Sequence, residues 1–155
     1  MRSSPITDTN ENGFEVSDDP QRIDGAAAHA FLSKAYWSEG IPAATLREAI
    51  ENSWCFGLFA PAGAQIGFAR LITDYATYAY LADVYVLPEY RGQGLASWLM
   101  EAVFAQPATR DLRRIMLATR DAHKLYKKVG FTPLAKPEIF MEISRPESYR
   151  SEGNL

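Results

Sequence analysis

One stretch constrains the fold of this chain more than any other, the run from Tyr80 to Val103. Its first part, with Val84, Tyr85 and Val86, is dense in β-branched and aromatic residues and predicts a strand. Pro88 stops that strand because it has no N–H to give to a ladder. Gly92 and Gly94 follow. After them Leu95, Trp98, Leu99, Ala102 and Val103 recur at the spacing of an amphipathic helix. The order is therefore strand, glycine turn, helix. It aims the unpaired N–H groups and partial positive charge of a helix N-terminus just beyond the strand end, where a phosphate is well placed.

The flanking segments supply the rest of a sheet. Phe14 and Val16 alternate with polar neighbours and predict a short strand. Residues 23–35 and 42–52 predict two helices, broken by Gly40 and Pro42, with Tyr36 and Trp37 at the break. Trp54 to Ala60 and Gln65 to Thr73 read as a β-hairpin around a turn containing Gly63. A turn at 74–77 leads into the strand of the first stretch, and 106–111 reads as a loop after the long helix. Ile115 to Ala118, apolar on both faces, predicts a central strand. Asp121 then opens a helix with Ala122, Leu125, Tyr126 and Val129 on one face and Gly130 at its end. Residues 131–134 and 139–144 could pair as a closing hairpin. This element order predicts a mixed α/β (α+β) fold with helices on both faces of one sheet, unlike the repeated β-α-β units of a dinucleotide-binding domain.

At 155 residues the chain is expected to form one domain. Residues 1–12 read as a disordered leader, 13–145 as the domain and 146–155 as a flexible tail. The formal charge of −3 gives no support for nucleic-acid binding, which usually shows a basic balance. Cys55 is the single cysteine, so neither an intrachain disulfide nor a cysteine-rich metal site can form. The polar start lacks the apolar core of a secretory signal, and no apolar run approaches the ~18–20 residues of a membrane span. A reduced, cytoplasmic setting fits these features.

Two blocks carry a family resemblance. Arg91-Gly92-Gln93-Gly94-Leu95-Ala96, within VYVLPEYRGQGLA, matches the Arg/Gln-x-x-Gly-x-Gly/Ala pattern at the acetyl-CoA loop of GNAT-type N-acetyltransferases. The second, LATRDAHKLYKKVGF from Leu117 to Phe131, resembles that superfamily's strand and helix ending in Leu-Tyr-x-x-x-Gly-Phe. The resemblance implies a mostly antiparallel central sheet and acetyl-CoA as co-substrate. Backbone N–H groups from Arg91 to Ser97, including Leu95 and Ala96, would hold the pyrophosphate, with Gly92 and Gly94 removing Cβ atoms that block close approach. Pantetheine would pair with the backbone near Tyr85, Val86 and Leu87. A glycine turn that simply starts a helix is the plainer reading of the loop taken alone. A dinucleotide fingerprint fails, because Gly92-Gln93-Gly94-Leu95-Ala96-Ser97 ends in serine.

The implied chemistry is direct acetyl transfer to a primary amine of a small molecule or peptide, with no covalent enzyme intermediate and no metal. Tyr126 occupies the family's Leu-Tyr position and would serve the leaving thiolate as an acid or hydrogen-bond donor; on spacing alone it is equally a core tyrosine. Asp83 is the candidate base, since strand interiors disfavour Asp, and the alternative is a carboxylate that faces solvent or satisfies a backbone group. Tyr36, Trp37 and Tyr80, with Tyr75 and Tyr78, are candidates for an aromatic acceptor pocket or for ordinary packing. A non-catalytic acyl-CoA-binding or sensing module on the same fold is the rival reading. A homodimer is possible, and no membrane or nucleic-acid partner is expected.

Overall fold

A computed structural model describes residues 4–149. Among them, six strands form one sheet in simple sequential order: β1 (Thr7–Thr9), β2 (Glu15–Ser17), β3 (Trp54–Phe59), β4 (Gln65–Thr73), β5 (Tyr78–Val86) and β6 (Arg114–Met116). Every neighbouring pair is antiparallel except β5–β6, which is parallel. The antiparallel hairpin of β3 and β4 forms where the alternating runs and Gly63 predict it.

Helices cover both faces, as the element order predicts. On one face α1 (Gly25–Leu32) and α2 (Ala43–Glu51) pack Ala28, Leu32 and Leu46 against Cys55, Phe68 and Tyr85. The Asp24 carboxylate caps α1 by accepting from the Ala27 N–H, and this cap is clamped to the sheet by Gln65, whose amide bonds both main-chain groups of Asp24. On the other face α3 (Leu95–Phe104) buries Leu95, Leu99, Met100, Ala102 and Val103 against Phe56, Leu58, Leu71 and Leu81. α5 (His123–Lys127) packs Leu125 and Tyr126 onto the rim of the same cluster.

Alternation of faces breaks at one decisive point. Phe68 pairs with Tyr85 and Arg70 with Ala82, so Ala69 alone on β4 opposes both Asp83 and Val84 on β5. This is a β-bulge, and its extra residue, Asp83, has φ 58. Because side chains alternate with period two, one inserted residue reverses the faces beyond it. Leu81 therefore packs with α3, yet Tyr85 points to the α1–α2 side while Val86 returns to the α3 side.

Several local expectations are corrected. Within the stretch read as a disordered leader, β1 pairs with β2, and the buried Asp18 carboxylate holds it by accepting from the Ile6 N–H and the Trp54 indole. The 106–111 loop contains a four-residue helix, α4 (Pro107–Arg110), started by Pro107. β6 is a short, half-buried strand at the sheet edge, not a central one. Its apolar run reflects burial by α5 and the chain beyond it on one side only. The closing hairpin does not form: residues 132–145 contain no strand, only a short 3-10 turn at Pro137–Ile139. Of the expected tail, Tyr149 packs against the α1–α2 cluster, and 150–155 lie outside the described residues.

Candidate active site

The site opens where β5 loses a neighbour. β6 pairs with Tyr78, Ala79 and Tyr80 only, so from Leu81 to Val86 the far edge of β5 carries no strand. Main-chain groups on that edge are available to a ligand. Leu87 donates its N–H to Ile66, so by antiparallel alternation Tyr85 and Leu87 turn their main-chain groups to β4 and Val86 turns outward. The candidate trio for pantetheine pairing thus reduces to Val86 as the outward-facing residue. Its carbonyl accepts from the Arg91 guanidinium at 3.1 Å, which ties the glycine loop back to the strand. The Tyr85 side chain is buried and stacks on Phe31 at 4.1 Å, so it belongs to the core.

The loop itself is open on its outer side. Gly92 and Gly94 have φ 80 and 75, and a Cβ at either would meet no protein atom within 4 Å. Left-handed backbone makes glycine necessary there, and the empty space in front leaves room for a ligand to reach the main chain. Gly94 caps α3 without any side-chain bond, which leaves the first-turn N–H groups of Leu95, Ala96 and Ser97 unclaimed within the helix. Gln93 bonds back to the Tyr90 carbonyl.

Asp83 sits in a polar cluster at the bulge. It is 9% exposed. One carboxylate oxygen accepts from Arg70 Nε at 2.8 Å and the other from Trp37 Nε1 at 3.0 Å, while Arg70 also reaches Ser53 Oγ. Asp is one of the few residues that tolerate left-handed backbone. Its presence inside a strand is therefore explained by the bulge and by Arg70. Each oxygen keeps one further lone pair able to take a water.

The aromatic residues at the break between α1 and α2 reach across the opening. Trp37 is tied to β5 through Asp83, and Tyr36 packs edge-on against Trp37 at 5.1 Å. Arg120, just before α5, lays its guanidinium over the Tyr36 ring at 3.9 Å and donates its N–H to the Tyr36 hydroxyl. That face of Tyr36 is thus already occupied by a cation, and Trp37 is the more open aromatic wall. Tyr126 completes the ring. Burial pushes its phenol up to about 12, with the Tyr36 hydroxyl and Asp121 adding to the shift. Tyr80 is half-buried and its phenol is raised by burial, then by Tyr78 and Asp83, against an opposing effect of the Ala118 backbone.

Asp83, Trp37, Tyr36 and Tyr126 are therefore linked in one continuous chain of contacts. Arg70 and Arg120 are the members that sequence reasoning missed. Arg70 had a signal, being a lone charge in an otherwise apolar strand. Arg120 had none, because its contact spans the whole chain. Among the described residues no group of three or more His, Cys, Asp or Glu side chains could hold a metal, and no helix is long and apolar enough to cross a membrane.

An open-edged sheet with a glycine loop at a helix start defines an acyl-donor-binding class, and the comparisons agree. The GNAT acetyltransferase domain matches residues 49–133. A Gibberella zeae protein named as an acetyltransferase is 35% identical over 135 residues, covering 74% of this chain and 76% of its own length. A Xanthomonas campestris pv. campestris crystal structure, described as belonging to the GNAT family, superposes with TM-score 0.85 at 46% identity, over 92% of this chain and 99% of that one. The bovine thialysine N-epsilon-acetyltransferase is 33% identical over 81 residues, 47% of this chain and 48% of its own length. The chain belongs to the GNAT acetyltransferase family, whose members use acetyl-CoA.

Proposed function

We propose that the protein transfers acetyl from acetyl-CoA directly to a primary amine of a small molecule or peptide. One observation carries this reading above others: the outward edge of Val86, the open loop at Gly92 and Gly94, and the Tyr126 phenol border the same gap beside β5. The bovine relative's name, an acetyltransferase acting on an amine of thialysine, supports the acceptor class.

In this reading the acceptor nitrogen attacks the thioester carbonyl carbon, and the C–S bond breaks as CoA leaves as a thiolate. The phenol of Tyr126 stays protonated at neutral pH, since burial lifts it to about 12. Complete proton transfer from it to a thiolate, whose thiol titrates near about 8.5, is uphill by several kcal/mol. Tyr126 therefore assists by hydrogen-bonding to the departing sulfur. The proton lost by the ammonium passes to water held at the free lone pairs of Asp83, whose Arg70 and Trp37 partners keep its carboxylate in place. Trp37 forms the acceptor's aromatic wall.

The test is acetyl-CoA-dependent thiol release across a panel of amines, preceded by thermal denaturation. Acetyl-CoA at about 100 times its dissociation constant should add roughly 2.7 kcal/mol of stability. Stabilisation with no thiol release from any amine would favour a sensing module. Absence of stabilisation would remove the reading altogether.

A further inference from the structure

The sheet has a second open edge, and it is apolar. β6 is bonded to β5 on one side only, and its other side faces a cleft of about 680 Å³ lined by Ile115, Val129, Phe131, Leu134, Ile139 and Phe140. Alongside runs a segment that its own chain leaves uncovered. Ile139 is 61%, Met141 98% and Ile143 82% exposed. They recur every second residue, the period of a strand with one apolar face. Among the described residues no backbone hydrogen bond is donated by Met141, Glu142 or Ile143. Three large apolar side chains and a row of unpaired main-chain groups in one segment are a sheet strand without its sheet.

Nothing else described in the chain can cover this edge. The N-terminal strand β1 lies at the opposite end of the sheet. Past Ser144 the chain leaves, and Tyr149 packs on the α1–α2 cluster. The six residues after it, RSEGNL, offer a single apolar side chain. The charges are complementary within one molecule: Arg113 and Arg114 border the cleft, whereas the segment carries Glu138 and Glu142. Arg114 already reaches the segment's start, over the Phe140 ring at 5.2 Å. A surface that holds both an open edge and a strand able to fill it is self-complementary, the requirement for a two-fold interface.

The geometry points to a homodimer in which residues 139–144 of each copy pair along β6 of the other, burying Met141 and Ile143 reciprocally. This interface is independent of the acetyl-transfer reading, because no residue in it belongs to the donor loop or the Asp83 cluster.

Light scattering on the full-length chain at micromolar concentrations should give twice the 17.3 kDa chain mass. The double variant Met141→Asp, Ile143→Asp should raise the dimer dissociation constant at least about a hundredfold, since each copy loses two buried apolar side chains. Its circular dichroism should match the parent, and any stabilisation the parent shows with acetyl-CoA should persist. Pairing between copies is read by mixing Arg114→Cys protein with Glu142→Cys protein under oxidation, which should yield a mixed cross-linked dimer. A monomeric parent, a dimer that survives the double substitution, or absence of the mixed cross-link would each overturn the proposal. So would backbone amide protection of 140–144 in a monomer, which would mean the segment closes on its own β6.

Discussion

The two halves of β5 differ in one respect from which the site follows. From Tyr78 to Tyr80 the strand is bonded on both sides, to β4 and β6, and its residues follow plain alternation. Beyond Asp83 it keeps β4 but has no partner on the other side, and the faces of its side chains are reversed. The first half is scaffold. The second half presents main chain to the gap, and the transition between them is a single residue in left-handed backbone, held by an arginine. An inserted residue thus does two jobs: it marks where the sheet opens, and it swings Tyr85 into the α1–α2 core while Val86 rejoins the α3 side.

The largest effect in breaking this contrast should come from Asp83→Ala. It leaves Arg70, largely buried, without its partner and gives left-handed backbone to a residue that resists it. Unfolding free energy in urea should fall by about 3–5 kcal/mol. Asp83→Asn keeps an acceptor for Trp37 and tolerates the backbone, so it should lose less and should instead shift the acid limb of the pH–rate profile. An Ala variant within about 1 kcal/mol of the parent would show that the ion pair does not hold the bulge. Next in size is Gly94→Val, on the open side. A β-branched residue at φ 75 is strained by about 1–2 kcal/mol, and its side chain fills the approach to the loop. The stabilisation by acetyl-CoA should vanish while the fold survives, and an undiminished shift in melting temperature would dismiss the loop as a donor site.

Smaller still is Tyr126→Phe, which retains the ring's packing against Phe131. Turnover should drop at least about tenfold, or 1.4 kcal/mol, in single-turnover measurements; equal rates would return Tyr126 to the core. The smallest expected effect is an absence. A phenol raised to about 12 remains a donor as pH rises through the ordinary tyrosine range. The parent should therefore show no alkaline loss of turnover below about pH 10 that disappears in the Phe variant. Such a limb would mean that Tyr126 titrates early and that the burial argument fails.

Much of the scaffold half was legible in the chain. Period-two runs at Trp54–Phe59 and Gln65–Thr73 and the helical stripe from Leu95 to Val103 are local signals, and each formed its element. Gly92 and Gly94 announced left-handed backbone because few other residues adopt it cheaply. The bulge was only half legible: Asp83 stood out as a misfit, but register, not composition, shows two residues facing Ala69. Arg120 on Tyr36 could not be read at all, since it joins segments 84 residues apart. The closing hairpin misled for the opposite reason. Its apolar alternation is real, and the strand it describes finds no partner among the described residues of its own chain.

The bond from Trp37 to Asp83 has an optical consequence. The chain has three tryptophans, and their surroundings differ: Trp54 is buried at 5% exposure, Trp98 is half-buried on α3, and Trp37 is 42% exposed at the mouth of the site. Trp37 should therefore be the indole that emits at the longest wavelength and that iodide quenches most readily. Occupation of the acceptor side would shield it. Emission from this one residue can then follow acceptor binding in the absence of turnover, and Trp37→Phe supplies the blank.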